Sequence, residues 1–440
     1  GSSRPWPSRA ARKACAGCAA SRGGWARARA PTAARMARQL TLYYETGWVS
    51  PVLHYGFQGQ GWHDAAFVGA SGEPGWWRVS VPATGSQVEF VPRAEDSSGW
   101  DNPAGGGNYS LVLPAGSGPV VAVLCQGQTS IVNLDRPPWA LVADMDGTLI
   151  GEPLDTVERL RLFWNLHCRF AVRASDGIRL CQLVYNSGRN RMDMLSGCRG
   201  NNLPRPDFMV CGVGTEIYIP CAQPDGDQTP WYDLPRLPEP EPDWAAKMSK
   251  EFGDRDKLRD EVQSRFPSLE VHGSVEHDPY RIPCIAKVTP ENPNILEELQ
   301  AWGDAHPALR VIISGVGEVR FVDVCSVHAD KGLAVEHLFA RGAFKGISDK
   351  SRILMAGDSG NDLRMFMVSG VRSVIVGNSQ PQLVEEVVSQ ATEPSARQAV
   401  AGGHRPLKIA RRPPLLEVYY ASGIIGDGVC EAIRHYFFEE

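Results

Sequence analysis

The segment LVADMDGTLI, residues 141–150, decides the fold of the larger part of the chain. An apolar, strand-like run ends at Asp144, Asp146 follows two positions later, and Gly147 and Thr148 form a turn. In an open parallel sheet, ligands bind beyond the carboxyl ends of the strands, so both acids are expected to face one crevice. One carboxylate can then attack a substrate while the other exchanges a proton. A strand that ends in Asp before an Asp-Gly turn is also a common structural feature, so the segment needs further support.

Two other segments carry groups that can hold phosphate. Strand-like residues 180–185 run into Ser187, Gly188 and Arg189, where a hydroxyl and exposed backbone N–H groups can hold a phosphate oxygen. Lys331 begins the amphipathic segment KGLAVEHL and can neutralise a phosphoryl group. Taken singly, a Ser-Gly turn is usually only a turn and a helical lysine is usually solvated surface.

A fourth segment, GDSGND at residues 357–362, follows the strand-like residues 353–356 and supplies Asp358, Asn361 and Asp362. Two carboxylates and an amide suit a hard cation that prefers oxygen ligands, retains waters and binds substrate phosphate, which describes Mg²⁺. All four segments occur in one order, and each acidic one follows a strand. This arrangement favours a shared catalytic site over four unrelated features.

Together, the four motifs resemble those of the haloacid dehalogenase superfamily, over roughly Leu141 to the C-terminus. The resemblance implies an α/β fold in which a Rossmann-like parallel-sheet hydrolase core carries an inserted α+β cap domain. It implies that Asp144 is transiently phosphorylated, that Asp146 protonates the leaving oxygen and then activates water, and that Ser187 and Lys331 hold the phosphoryl oxygens. The implied Mg²⁺ ligands are Asp144, the main-chain carbonyl of Asp146, Asp358 and Asp362, and the implied substrate contacts are Gly188, Arg189 and Asn361.

Within the superfamily, the chain looks most similar to sucrose-phosphate phosphatases. The similarity rests on RLRLFWNL after the first motif, SGRN, VGTEIYI ahead of the cap, KGLAVEHL, GDSGND and the closing ASGIIGDGVCEAI. DPYRIPCIAKV resembles the cap strand that carries a sugar-contacting lysine in that family, here replaced by Arg281. Gly147 departs from the family, which often has His or Asn there. The expected substrate is therefore sucrose 6-phosphate, and another hexose or glucan phosphate remains the alternative.

Composition excludes several classes of function. The 440 residues predict two to four folding units. A formal charge of -5 offers no field that favours nucleic acid or an anionic membrane. Apolar runs are only strand-sized, so no membrane span is expected. The eleven cysteines show no framework spacing, which is typical of a reducing compartment.

The pattern of apolar residues divides the chain into parts. Short alternating stretches punctuated by turns predict an all-β sandwich module over residues 40–128. After a linker around 133–138, strands alternate with helices, which predicts the phosphatase core over 138–220 and 318–440. The cap domain is predicted over 221–317, with one helix spanning 243–266, a strand near 281–288 and a second helix near 294–305.

The sandwich segment resembles starch-binding carbohydrate modules in LYYETGW, VLHYGFQGQGWHDA, GWWRVSVP and SSGWDNPAGGGNYS. By position, His54, Trp62 and Trp100 match the sugar platform of that family, which stacks sugars of α-glucan or starch on aromatic rings. The alternative is that the tryptophans form the sandwich core. For the neighbours Trp76 and Trp77, which face opposite sides of a strand, at least one is expected in that core.

Residues 1–39 hold many arginines and no acid, as in an organelle transit peptide. The first methionine is Met36, so a cloning remnant or a translated leader is the alternative. A starch-binding module and a transit arm favour the chloroplast, whereas sucrose-phosphate chemistry favours the cytoplasm.

Three functional hypotheses follow from the sequence. The first is an enzyme, a sugar-phosphate hydrolase tethered to α-glucan. The second is a glucan-tethering scaffold whose phosphatase domain is vestigial, although the complete set of motif residues argues against decay. The third is a phosphoryl transferase or mutase on the same fold, which would retain the phosphate in a sugar product.

Overall fold

The computed structural model describes residues 38–70, 73–222, 229–315, 317–403, 406–411 and 417–439. The arm expected over residues 1–39 lies outside the described residues except for its last two positions. Among the described helices, none combines the length and apolar character that a bilayer crossing requires.

The N-terminal part is the predicted β-sandwich. Its first sheet has the order β4-β5-β1-β8-β9 and its second sheet the order β3-β2-β6-β7. β1 and β8 run parallel, and the other neighbours run antiparallel. The sandwich continues to Val132, beyond the predicted limit at 128. The strands are β1 Gln39–Glu45, β2 Val52–Phe57, β3 Trp62–Ala66, β4 Val68–Gly69, β5 Trp76–Pro82, β6 Gln87–Arg93, β7 Tyr109–Val112, β8 Val120–Cys125 and β9 Gln128–Val132.

The first half of the α/β core begins after the six residues 133–138. All five residues of its first strand, WALVA, are buried, as expected for a parallel strand that is covered on both faces. The elements are β10 Trp139–Ala143, α1 Leu154–His167, β11 Cys181–Asn186, α2 Arg191–Asn201, β12 Phe208–Cys211, β13 Glu216–Ile219 and β14 Glu239–Pro240.

The cap is a four-stranded antiparallel sheet, order β15-β16-β18-β17, with helices packed against it. The prediction of one helix over 243–266 is wrong, because Gly253 adopts φ 75° and ψ −147° and Asp254 caps a second helix. The predicted end of the cap at 317 is also wrong, since β18 belongs to its sheet. The elements are α3 Pro242–Phe252, α4 Arg255–Arg265, β15 Glu270–Val271, β16 Arg281–Lys287, α5 Ile295–Asp304, β17 Leu309–Ser314 and β18 Val319–Ser326.

The second half of the core completes a nine-stranded sheet of order β14-β13-β12-β11-β10-β19-β20-β22-β21. From β12 across to β22 the strands are parallel, and antiparallel pairing adds β13 and then β14 at one edge and β21 at the other. The elements are α6 Lys331–Ala340, β19 Ile353–Gly357, α7 Leu363–Phe366, β20 Arg372–Ile375, α8 Pro381–Ser389, α9 Pro394–Ala401, β21 Leu407–Ala410, β22 Glu417–Tyr420 and α10 Ile425–Phe437.

Candidate active site

Asp144 lies at the carboxyl end of β10, the middle strand of the core sheet. Its backbone N–H donates to the carbonyl of Ala356 in β19 at 3.0 Å, and its side chain is buried. Asp358 directly follows β19. Because β10 and β19 are parallel neighbours, both acids reach the same edge of the sheet, as the sequence predicted.

Three carboxylates meet at this edge. One oxygen from each of Asp144, Asp358 and Asp362 lies within 4.8 Å of the other two. Thr148 Oγ1 donates to Asp358 Oδ1 at 3.0 Å, and the backbone N–H groups of Asp358 and Ser359 each donate to Asp362 Oδ2 at 3.0 Å. The cluster is therefore held rigidly by the segments that carry it.

Lys331 supplies a positive charge to the cluster. It is the first residue of α6, whose N-cap Asp330 accepts hydrogen bonds from Gly332 and Leu333, so the lysine is held at the helix start. Its buried Nζ lies 3.0 Å from Asp144 Oδ1 and 2.7 Å from Asp362 Oδ1. The solvated-surface alternative for this lysine is therefore excluded.

The charges of the cluster are unbalanced. Burial raises the pKa of Asp144, and the attraction of Lys331 opposes that rise only in part. Burial, followed by the repulsion from Asp362, raises the pKa of Asp358 to about 7. Burial alone would lower the pKa of Lys331, but the carboxylates of Asp144 and Asp362 raise it. Three carboxylates facing one ammonium group suit an added divalent cation, whose oxygen-ligand preference these side chains meet.

Gly147 is required by the geometry of the cluster. Its φ is 78°, and a Cβ atom at this position would lie 2.5 Å from Asp358 Oδ2. A larger residue there would strain the backbone and displace the carboxylate. The departure from His or Asn at this position thus matches the local packing.

Asp146 faces the crevice but lies apart from the three-carboxylate cluster. Both of its carboxylate oxygens accept hydrogen bonds from Arg189, from Nε at 2.7 Å and from Nη2 at 2.7 Å, and just over half of its side chain is exposed. The bidentate pair fixes the orientation of the carboxylate. Arg189, predicted as a substrate contact, is engaged with Asp146 in this structure.

Ser187 lies at the end of β11 on the same edge. Its side chain is buried, its Oγ accepts a hydrogen bond from the Arg189 N–H at 3.2 Å, and its backbone N–H donates to Val210 at 2.9 Å. Asn361 accepts hydrogen bonds through Oδ1 from Lys331 Nζ and from Ser359 Oγ. The structure therefore brings together the predicted residues of all four motifs.

The cap closes the other side of a crevice of about 720 Å³, a volume typical of sites for small molecules. Arg281 lines it but is almost fully buried: Nε donates to Asp278 at 2.6 Å, and Nη1 donates to Asp323 at 3.0 Å and to the Gly188 carbonyl at 2.7 Å. Arg281 thus joins the cap to the loop that carries Ser187.

A family model described as sucrose-6F-phosphate phosphohydrolase matches residues 137–404. The chain belongs to this family. It is therefore a phosphatase that hydrolyses phosphate esters, on a haloacid dehalogenase-type fold, and phosphatases of this fold generally use a divalent metal. The sucrose-phosphate phosphatase-like resemblance of the sequence is confirmed.

Several relatives of this sucrose-6F-phosphate phosphohydrolase family member are known. A haloacid dehalogenase-like hydrolase of Nitrosococcus oceani is 30% identical over 68% of the chain and 72% of its own length. The mannosylfructose-phosphate phosphatase of Agrobacterium fabrum is 28% identical over 57% of the chain and 87% of its own length. The sucrose-phosphatase of Synechocystis, solved with sucrose and phosphate, is 23% identical, covers 68% of the chain and 98% of its own, and has a TM-score of 0.47.

Some residues of the phosphatase crevice escaped sequence reasoning. Examples are His272, Phe321 and Asp323 from the cap and Gln380 from the core. Asp323 lies at a buried position of β18, and a carboxylate within the apolar run FVDVC is a usable signal. The others stand in strands, turns or loops without a chemical pattern, so only the closure of the cap over the core identifies them.

The predicted sugar platform lies on the second sheet of the sandwich. The rings of His54 and Trp62 stack at 4.8 Å with planes 9° apart, and Trp100 meets His54 edge-on at 5.6 Å. Asp64 accepts from Arg93 at 2.9 Å and lies 2.7 Å from His54 Nδ1, which orients the imidazole. Trp62 and Trp100 are 43% and 47% exposed, so the core alternative is wrong for both.

The neighbouring tryptophans of β5 point to opposite faces of the strand, as the alternation of side chains along a strand requires. Trp77 packs against the sandwich core, as expected for at least one of the pair, whereas Trp76 is fully buried against the phosphatase.

The sandwich is also similar to a solved carbohydrate-binding module. The CBM25 module of a Bacillus halodurans amylase, solved with maltotetraose, is 29% identical, covers 21% of the chain and 92% of its own, and has a TM-score of 0.17.

Proposed function

We propose that the chain is a Mg²⁺-dependent phosphatase that hydrolyses a sugar phosphate through an aspartyl-phosphate on Asp144. The observation that carries this proposal is the buried cluster of Asp144, Asp358 and Asp362 around Lys331, whose members Asp144 and Asp358 line the crevice. Mg²⁺ would be held by Asp144, Asp358, the main-chain carbonyl of Asp146 and, in a supporting position, Asp362. When bound, the cation neutralises charge on the phosphoryl oxygens.

The side chains divide the reaction into two displacements. An Asp144 carboxylate oxygen attacks phosphorus, the bond from phosphorus to the sugar oxygen breaks, and Asp146 donates the proton to that leaving oxygen. Asp146 then takes a proton from water, and the water oxygen displaces the Asp144 carboxylate to release phosphate. In this step one Asp146 oxygen leaves Arg189 and carries the proton, while the other oxygen stays paired with Arg189 and keeps the carboxyl group oriented. Ser187 and Lys331 hold the phosphoryl oxygens.

We propose sucrose 6-phosphate as the substrate. The matching family is named for sucrose-6F-phosphate, and the Agrobacterium relative is named for mannosylfructose phosphate, so both names describe fructose-containing disaccharide phosphates. A crevice of about 720 Å³ with carboxylates, an imidazole and two amides along its wall suits a hydroxyl-rich ligand of this size. Another hexose phosphate or a glucan phosphate is the alternative.

We further propose that the sandwich binds α-glucan on the platform formed by His54, Trp62 and Trp100. Exposed indole rings stack on sugar faces, and the polar Asp64–Arg93 pair beside them offers hydrogen-bonding groups for hydroxyls. Apart from the limits at residues 128 and 317, which the strands correct, the domain limits and the chloroplast assignment of the sequence stay predictions.

A substrate panel tests the enzymatic proposal. Phosphate release from sucrose 6-phosphate is compared with release from glucose, trehalose and mannose phosphates, with Mg²⁺ and with EDTA, for the wild type and Asp144→Asn. We expect EDTA and Asp144→Asn each to lower kcat at least about 1,000-fold, because EDTA removes the proposed cation and the substitution removes the nucleophile. Asp260→Asn, on the exposed face of α4, is the matched control and should retain full activity.

The same panel separates the alternatives. A wild type that releases no phosphate but is retained on starch would establish the scaffold hypothesis. Sugar products that retain the phosphate would establish a transferase or mutase.

A further inference from the structure

One outer face of the sandwich is buried against the phosphatase. In β1, Leu40, Leu42 and Tyr44 point into the sandwich core, so the alternate residue Tyr43 points outward. Residues on this outer face are buried in one cluster with the phosphatase core, and those from the sandwich strands are Trp76, Val123, Cys125 and Val132. The sandwich and the catalytic core therefore share a continuous hydrophobic core.

Aromatic and charged contacts fix this interface. Tyr43 stacks on Phe170 with centroids 3.8 Å apart and planes 9° apart, and Trp76 meets the same ring at 4.8 Å. Arg169 pairs with Glu73 at 2.5 Å and lies 5.2 Å from the Trp76 ring. Close-packed rings held by an ion pair leave little freedom for the sandwich to rotate.

The interface lies at the amino ends of the core strands, whereas the crevice lies at their carboxyl ends. α1 begins at Leu154, soon after the catalytic loop at Asp146, and runs back along the sheet for 14 residues, about 20 Å. Its last residue, His167, contacts Ser130 of β9 at 3.1 Å, and Phe170 follows shortly after. The sandwich thus packs at the far end of α1, away from Asp144.

The sugar platform is on the opposite outer face of the sandwich. In β2, Leu53 and Phe57 point into the sandwich core, and His54 points outward with Trp62 stacked on it. The two sheets of a sandwich lie roughly 10 Å apart. The platform therefore points away from the phosphatase, while the crevice opens at the other end of the core and is covered by the cap.

We infer that the platform and the crevice bind two different molecules. An α-glucan on the platform anchors the enzyme, and the crevice hydrolyses a separate, freely diffusing small sugar phosphate, so the anchoring glucan is not the substrate. The fixed interface prevents the sandwich from swinging round to deliver a bound chain to Asp144. This inference rests on the proposed function and adds the independence of its two sites.

Kinetics of the full chain test this independence. Phosphate release from sucrose 6-phosphate is measured while maltoheptaose is raised to saturation of the platform, which tryptophan fluorescence reports. We expect KM and kcat to change less than twofold, and phosphorylated amylopectin to release phosphate at less than a hundredth of the rate. Trp62→Ala should abolish retention on starch and the fluorescence response.

Two results would overturn the inference. Competitive inhibition by maltoheptaose, whether or not it disappears in Trp62→Ala, would mean that glucan reaches the crevice. Faster release from phosphorylated amylopectin than from sucrose 6-phosphate would make the anchoring polymer the substrate. An enzyme inactive on both would instead refute the proposed function, and the independence of its two sites with it.

Discussion

The catalytic core has two neighbours, and it contacts them in different ways. On the sandwich side, rings such as Tyr43, Trp76 and Phe170 pack with core residues in one apolar cluster. On the cap side, the cap keeps its own apolar cluster, and beside the crevice it is joined by charged groups, with Arg281 reaching Gly188 and Arg310 reaching Asp330. Away from the crevice, α3 also makes an apolar contact, because Trp244 and Met248 are buried in one cluster with core residues such as Val142.

This difference in contacts matches the function of each interface. An apolar interface must stay closed because opening it exposes large rings to water. A charged interface can open at lower cost, since water solvates the separated groups, and a phosphatase whose cap covers the crevice must admit substrate and release products. We therefore expect the sandwich to stay fixed and the cap to move at the side of the crevice, while the apolar contact of α3 stays closed.

The largest effect is expected at the cap. Arg281→Met leaves Asp278 and Asp323 buried without their partner, which should cost about 3–5 kcal/mol of unfolding free energy. It also frees the Ser187 loop, so kcat should fall about 100-fold. Arg281→Lys, which retains a charge, should recover part of kcat. Unchanged kcat in a stable Arg281→Met variant would contradict the bridging role.

On the sandwich side, Trp76→Ala should lower the free energy of unfolding by about 3–5 kcal/mol, because it leaves a cavity between two parts of the chain. Calorimetry and the loss of phosphatase activity on heating should report the same lowered midpoint. Trp77→Ala, in the same strand but only half-buried, is the matched control with a smaller loss. A sandwich that melts separately while the phosphatase is unaffected would contradict the shared core.

The smallest effect concerns pH at the sandwich interface. Burial, reinforced by Arg434 and Arg136, lowers the pKa of His167 from 6.5 to about 4. The His167 imidazole is thus neutral in the folded protein. Its contribution to the free energy of unfolding is complete above pH 6.5 and is lost as pH falls towards 4. We expect a loss of about 1–3 kcal/mol over this window by chemical denaturation. His167→Gln should flatten this dependence, and an unaltered slope would contradict it.

The site was predictable from the sequence because its chemistry is local. Asp144, Ser187 and Asp358 each directly follow a strand, and parallel strands bring such positions to one edge. The helix break at Gly253 was missed because the apolar spacing on either side continues as if through one helix, while a single backbone conformation decides the break. Residues such as His272 reach the crevice only through the docking of the cap.

The sequence by itself determined the acids, the phosphate-binding groups and the two folds, because periodicity and strand ends are properties of neighbouring residues. The tertiary structure alone decided that Arg281 bridges the cap and core, and that the sandwich faces the phosphatase through Trp76 with its platform turned outward. The identity of an apolar side chain on the outer face of a sheet does not indicate which surface covers it. Only the complementary rings and charges of the partner surface select which face is buried.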